Sequence, residues 1–150
     1  LGTGSLNRFN TKFMNSRIKS IQAFLKKESF NSLFVVHPAN ISYLVNYIAR
    51  DAYLLITQEK VFYFTDARYV QEIKDKLQAL DVVLIKESLV ACLEQVLKSQ
   101  DSKKVFFDIE FADFHLSLKL HSSLDDSVLI IPLAGVITGL IFFTLRTLTG

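Results

Sequence analysis

The stretch "AYLLITQEKVFYFTDARYV", residues 52–70, decides the fold. Two apolar runs, 52–57 and 60–65, are separated only by Gln58 and Glu59, the spacing of an antiparallel hairpin. The turn lacks the Asn-Gly or Gly chemistry such a hairpin favours. Neither run alternates strongly, so both faces of the sheet are expected to be covered. A helical stripe follows, Val70, Ile73, Leu77 and Leu80, which the charged Glu72, Lys74, Asp75 and Lys76 largely avoid. Asp66 stands between strand and helix, where its carboxylate can accept from the free N–H groups of the first turn. Arg68 and Tyr69 then fall in that first turn, near the edge of the sheet.

Working outward, Asn15 or Ser16 can cap a helix that runs to about Glu28, with Ile18, Ile21 and Leu25 on one face. "SLFVV", 32–36, reads as a short buried strand that Pro38 stops, and Asn40 can cap a brief helix through Leu44. Beyond the central stretch, "DVVLIK" (81–86) is a strand. Ser88 caps a helix to Lys98, which carries Leu89, Leu93 and Val96 on one face. "KKVFFD" (103–108) is another strand, 112–120 a helix, and "SVLIIP" (127–132) the last strand. The alternation predicts an α/β domain: a mixed sheet of about six strands flanked by helices on both faces.

The chain has 150 residues, half of them hydrophobic and 13 of them Phe, enough for one domain with a sizeable core. A net charge of +2 with no basic stripe argues against nucleic acid as a partner. The single cysteine, Cys92, excludes an internal disulfide and falls in a helical pattern as a small core residue. Residues 1–13 are polar, turn-rich and aperiodic, and Met14 is the only methionine. They read as a leader or an expression-derived segment. They contain no apolar core of a secretory signal, which favours a cytoplasmic location.

The sequence contains no Gly-rich phosphate loop, no Gly-x-Ser-x-Gly elbow and no His-Glu-x-x-His. His37, at a strand end, occupies the kind of position where α/β sheets bind ligands. His115 and His121 read as surface residues. Asp108, Glu110 and Asp113 are oxygen donors of the type hard cations take, but no fourth donor has a defined spacing to them, and helix capping is the simpler account. No catalytic residue and no metal site is assigned to this chain.

Taken together, the motifs resemble the N-terminal domain shared by creatinase, prolidase and the Xaa-Pro aminopeptidases. "YFTDARY" (63–69) resembles the "FTDGRY" signature of that domain, and "HPANISYLVNY" (37–47) its "sPeNirYLtGF" pattern. "RDAYLLIT" (50–57), "RIKSIQAFLKKESFNSLFVV" (17–36) and "LIIPLAGVI" (129–137) resemble its following strand, its opening and its close. The resemblance spans roughly residues 16–137, so the domain is expected at 14–137 and an atypical apolar tail at 138–150. It implies an α/β fold that is not itself catalytic. Catalysis would belong to a second, C-terminal domain holding two divalent metals (Mn, Co or Zn) that activate the hydroxide attacking the bond before proline. It further implies a role in dimerisation and in closing the substrate cleft. Expected partners are a second copy, the C-terminal catalytic domain and, through the parent, proline-containing peptides. The cleft candidates are His37, Asn40, Tyr47, Arg50 and Asp51 in one loop region and Asp66, Arg68 and Tyr69 at the other corner. Arg50 could pair with a peptide carboxylate through its fork.

Two departures stand out. Asn46 and Ala52 occupy positions where this family usually has glycine, which predicts a different loop path. At the end, "TGLIFFTLRTLTG" replaces the usual charged helix. The 18 uncharged residues 128–145 approach the ~20 of a membrane span, but Pro132 closes a strand and leaves only 133–145, a length suited to a buried or partner-facing helix. The alternative functions are a stand-alone binding or scaffold module of the same fold, and a small enzyme using Asp66, Arg68 and His37.

Overall fold

The computed structural model describes residues 3–108, 119 and 128–133. The readings of a helix at 112–120, of Glu110, Asp113, His115 and His121, and of the tail at 138–150 lie outside them. In chain order the elements are α1 (Thr3–Glu28), β1 (Ser32–Val35), α2 (Pro38–Val45), β2 (Tyr53–Thr57), β3 (Val61–Thr65), α3 (Val70–Lys76), β4 (Asp81–Leu84), α4 (Leu89–Ser99), β5 (Lys104–Asp108) and β6 (Leu129–Leu133). The strands form one mixed sheet in the order β4-β3-β2-β1-β5-β6. β2 pairs antiparallel with β1 and β3, and the remaining pairs are parallel.

Period-two alternation divides the central strands between two cores. Leu33, Val35, Leu54, Ile56, Val61 and Tyr63 pack under α1, α2 and α3, joined by Ile18, Ile21 and Leu25. Phe34, Leu55, Phe62, Phe64, Val105 and Phe107 face α4 through Leu93, Val96 and Leu97. Helices on both faces explain why the central hairpin is apolar on both sides.

The hairpin turn works without glycine. Neither Gln58 nor Glu59 has positive φ. Instead Thr57 Oγ1 accepts from the Glu59 and Lys60 N–H groups (3.3 and 2.9 Å), while the Thr57 N–H donates to the Lys60 carbonyl at 2.9 Å. Ser88 caps α4 as expected, accepting from the Ala91 N–H at 3.1 Å. Cys92, half-buried, directs its thiol to the Leu84 carbonyl at 3.8 Å.

Four local expectations are corrected. α1 begins at Thr3 rather than at Asn15 or Ser16. Those residues are interior helical positions, and Ser16 contributes its carbonyl to Ser20 Oγ. Asn40 is buried inside α2, and His37 holds the N-cap position with Pro38 at the helix start. Pro38 suits that place because its missing N–H would have had no helical partner. The α3 stripe is shorter as a helix than its apolar spacing suggests. Leu77 is its C-cap residue and Leu80 lies beyond it, yet both are buried. Pro132 lies within β6, opposite Phe107. β6 stands at the end of the sheet among the described residues, and an edge strand tolerates a residue without N–H.

Candidate functional site

The pairing brings the candidate residues to one edge. β1 and β3 run the same way, and β2 enters between them from the opposite direction. The short link after β1 (Val36 and His37), the segment leading into β2 (46–52) and the corner after β3 (66–69) therefore meet where the parallel strands end. This is the edge at which open α/β sheets place ligands.

The 46–52 segment is fastened at both ends. Asn46 closes α2 in the left-handed region (φ 54, ψ 43), its N–H on the Ser42 carbonyl. Asparagine is the commonest substitute for glycine there, so this position keeps a glycine-like conformation. Ser42 Oγ donates to the Pro38 carbonyl at 2.7 Å and accepts from the Ala49 N–H at 2.8 Å, pinning the segment to α2. Ile48, between these anchors, is 67% exposed. At the far end Asp51 also has positive φ (44), and its Oδ2 accepts from Arg68 Nη2 at 2.8 Å.

Asp66 does not cap the first turn of α3. The N-cap position is Tyr69, which makes no side-chain cap bond. The Asp66 carboxylate turns instead onto Arg68, accepting its backbone N–H at 2.8 Å, its Nε at 3.2 Å and its Nη2 at 2.7 Å. The Arg68 guanidinium also lies over the Tyr69 ring, 5.1 Å from its centroid. Hydrogen bonding from Arg68 holds the Asp66 carboxyl below the ordinary aspartate value, and the same contacts raise Arg68.

Beside this cluster the Tyr47 phenol feels the charge of Glu72. Burial first, then Glu72, raise the Tyr47 phenol, and the charge of Arg50 opposes them. Tyr63, beneath, is 1% exposed. Burial pushes it up to about 12, with smaller contributions from Tyr47 and Glu72.

The structure thus joins Asp51, Asp66, Arg68 and Tyr69 in one cluster, and places Tyr47 where the charges of Glu72 and Arg50 both reach it. It places His37 and Asn40 in the first turn of α2. Sequence reasoning missed Glu72, which looked like one more charge on the solvent side of α3; its position in the first turn was the available signal. It also missed Arg17, whose guanidinium stacks on the Tyr43 ring at 4.0 Å while Nη1 donates to the Tyr43 carbonyl, tying α1 to α2.

Chemically, the cluster can bind and orient. An aspartate with a lowered pKa is a weak general base, and Arg68 stays a cation. Among the described residues no three His, Cys, Asp or Glu converge as a metal set. Asp66 is held by the backbone N–H, Nε and Nη2 of Arg68, so this cluster does not offer the free carboxylate set that the two-metal chemistry needs. A cavity of ≈ 190 Å³ lies at the opposite edge, between α1 and the hairpin, and is lined by Met14, Ile18, Gln22, Lys60, Leu80 and Asp81. None of the candidate residues lines it. Among the described residues no helix is long and apolar enough to cross a membrane.

Comparison with known proteins agrees with this architecture. The family described as Creatinase/Prolidase N-terminal domain matches residues 17–140. Comparison with curated protein sequences finds no match. Among solved structures, the chain is similar to an Xaa-Pro aminopeptidase from Streptococcus pyogenes, with TM-score 0.79 and 18% identity over 87% of this chain and 98% of that one. It is similar to the N-terminal domain of the cytoplasmic peptidase PepQ from Mycobacterium tuberculosis, with TM-score 0.74 and 16% identity over 83% and 98%. It is also similar to an Xaa-Pro dipeptidase from Bacillus anthracis, with TM-score 0.77 and 15% identity. That match covers 85% of this chain and 35% of the dipeptidase, so this chain spans about a third of its length. At these identities the likeness is one of fold.

Proposed function

The chain belongs to the creatinase/prolidase N-terminal domain family, and we propose that it is the non-catalytic N-terminal domain of an Xaa-Pro peptidase-like metallohydrolase. In this reading it serves dimerisation and closes one side of the substrate cleft. Hydrolysis belongs to a C-terminal domain that supplies the two divalent metals, and none of the residues described above takes part in holding them. The observation that carries the reading is the family match over 17–140, on a chain similar in fold to 35% of an Xaa-Pro dipeptidase chain.

The strand-end edge is the surface that suits cleft closure. It presents Ile48 and Arg50 on a segment fixed by Ser42 and Arg68, and a fixed loop loses less entropy on closing over a substrate. A cytoplasmic location fits the same reading, as one neighbour is described as a cytoplasmic peptidase. Light scattering on the purified chain tests the dimerisation role. The expected species has twice the 17.1 kDa of one chain. A strict monomer at high concentration contradicts that role.

A further inference from the structure

Arg68 carries five N–H donors in a planar fork with two usable edges. The side-on edge, Nε and Nη2, is filled by Asp66, with Nε at 3.2 Å from both carboxylate oxygens and Nη2 at 2.7 Å from Oδ2. The Arg68 backbone N–H adds a bond to the same carboxylate, so acid and fork form a closed unit. The end-on edge, Nη1 and Nη2, is filled differently. Asp51 meets it through one oxygen, Oδ2, on Nη2 alone. Among the described residues Nη1 donates to no protein group.

A carboxylate that fits such an edge takes it through two parallel bonds. Asp51 and Arg68 each leave 65% of the side chain exposed, and an ion pair so solvated is readily exchanged. The Asp66 side chain is only 31% exposed and accepts from three donors. The two acids are therefore unequal: Asp66 positions the guanidinium, and Asp51 is the replaceable partner.

We propose that the end-on edge of Arg68 is a carboxylate-binding seat. Asp51 holds it through one oxygen and yields it to an incoming carboxylate that engages both Nη1 and Nη2. Arg50, exposed and next to Asp51 in sequence, offsets the added negative charge. The ligand is a peptide carboxylate, supplied either by a chain terminus or by an Asp or Glu side chain. The seat follows from the donors of Arg68 alone and stands whether or not this edge closes a peptidase cleft.

The test follows the ¹H–¹⁵N signals of the Arg68 side chain in the whole chain. The probes are Gly-Pro, Gly-Pro-amide and a doubly blocked Gly-Glu-Gly peptide. The expected result is that Gly-Pro or the Glu peptide moves these signals and the amide does not, and that in Arg68→Lys, which lacks the fork, the backbone amides of Asp51 and Tyr69 no longer respond to either carboxylate. The tighter of the two carboxylate probes identifies the source. Asp51→Asn removes the competing acid and tightens binding by up to about fivefold. Asp75→Asn, the same charge change on the exposed side of α3, leaves it unaltered. Equal shifts with the amide, no response to either carboxylate, or equal effects of the two Asp→Asn variants would overturn the proposal.

Discussion

Tyr63 shows what burial does to a single side chain at this edge. It is the largest fully buried residue of the core, with its phenol under Tyr47 and Glu72. Burial there disfavours the phenolate, and the charge of Glu72 adds to the effect. A folded-state pKa raised from 10.0 to about 12 means the neutral phenol stabilises the fold fully below pH 10. That contribution is lost as pH rises through 12. Tyrosinate absorbance is therefore expected to show a phase delayed to about pH 12 that disappears in Tyr63→Phe. An alkaline titration with no such phase contradicts the burial of Tyr63. Asp66 behaves in the opposite sense. Its lowered carboxyl keeps the Arg68 corner intact above the ordinary aspartate range, and the corner loosens only as pH falls through the lowered value. Roles of this kind were only half legible beforehand. The sequence put Asp66, Arg68 and Tyr69 at a strand-to-helix corner, but adjacency in sequence did not say that Asp66 prefers a guanidinium to the helix amides. Nor did it show that Asp51, 17 positions away from Arg68, completes the bridge.

The β2–β3 hairpin carries the same lesson at the level of an element. Its strands were legible from two apolar runs, yet its turn has none of the usual residues. Thr57 supplies the missing chemistry through one buried hydroxyl that satisfies two backbone N–H groups. Thr57→Val keeps the shape and removes that acceptor, so it is expected to cost ~1–3 kcal/mol. Thr57→Ser, which keeps the hydroxyl, is expected to cost less. Urea denaturation of both variants measures the difference, and equal losses would show that the hydroxyl is incidental. Elements with local signals were read well: Ser88 at the start of α4, the core stripe of α1, and the apolar strands. Those set by tertiary context were not. α3 stops early because Leu77 and Leu80 can be buried from a turn as well as from a helix. Pro132 continues a strand because β6 has only one neighbour among the described residues.

For the whole molecule, the α/β class followed from the order of elements, and the two cores followed from strands that are apolar on both faces. Strand order was less accessible. β4 and β5 follow one another through α4 yet have three strands between them, a crossover no local pattern announces. The candidate site was legible as two loops. Their meeting at one sheet edge needed the pairing of β1, β2 and β3. That edge holds a guanidinium bridge, and among the described residues no three His, Cys, Asp or Glu converge as a metal set. In the proposed reading this edge positions a ligand and bond cleavage belongs to the C-terminal domain, which is the central claim. The most direct test is an assay of Xaa-Pro peptide hydrolysis by the purified chain with Mn²⁺, Co²⁺ or Zn²⁺ added in turn. The expected result is no turnover above the protein-free control with any of the three metals. Turnover that disappears on Asp66→Ala would contradict the account and place catalysis at this edge.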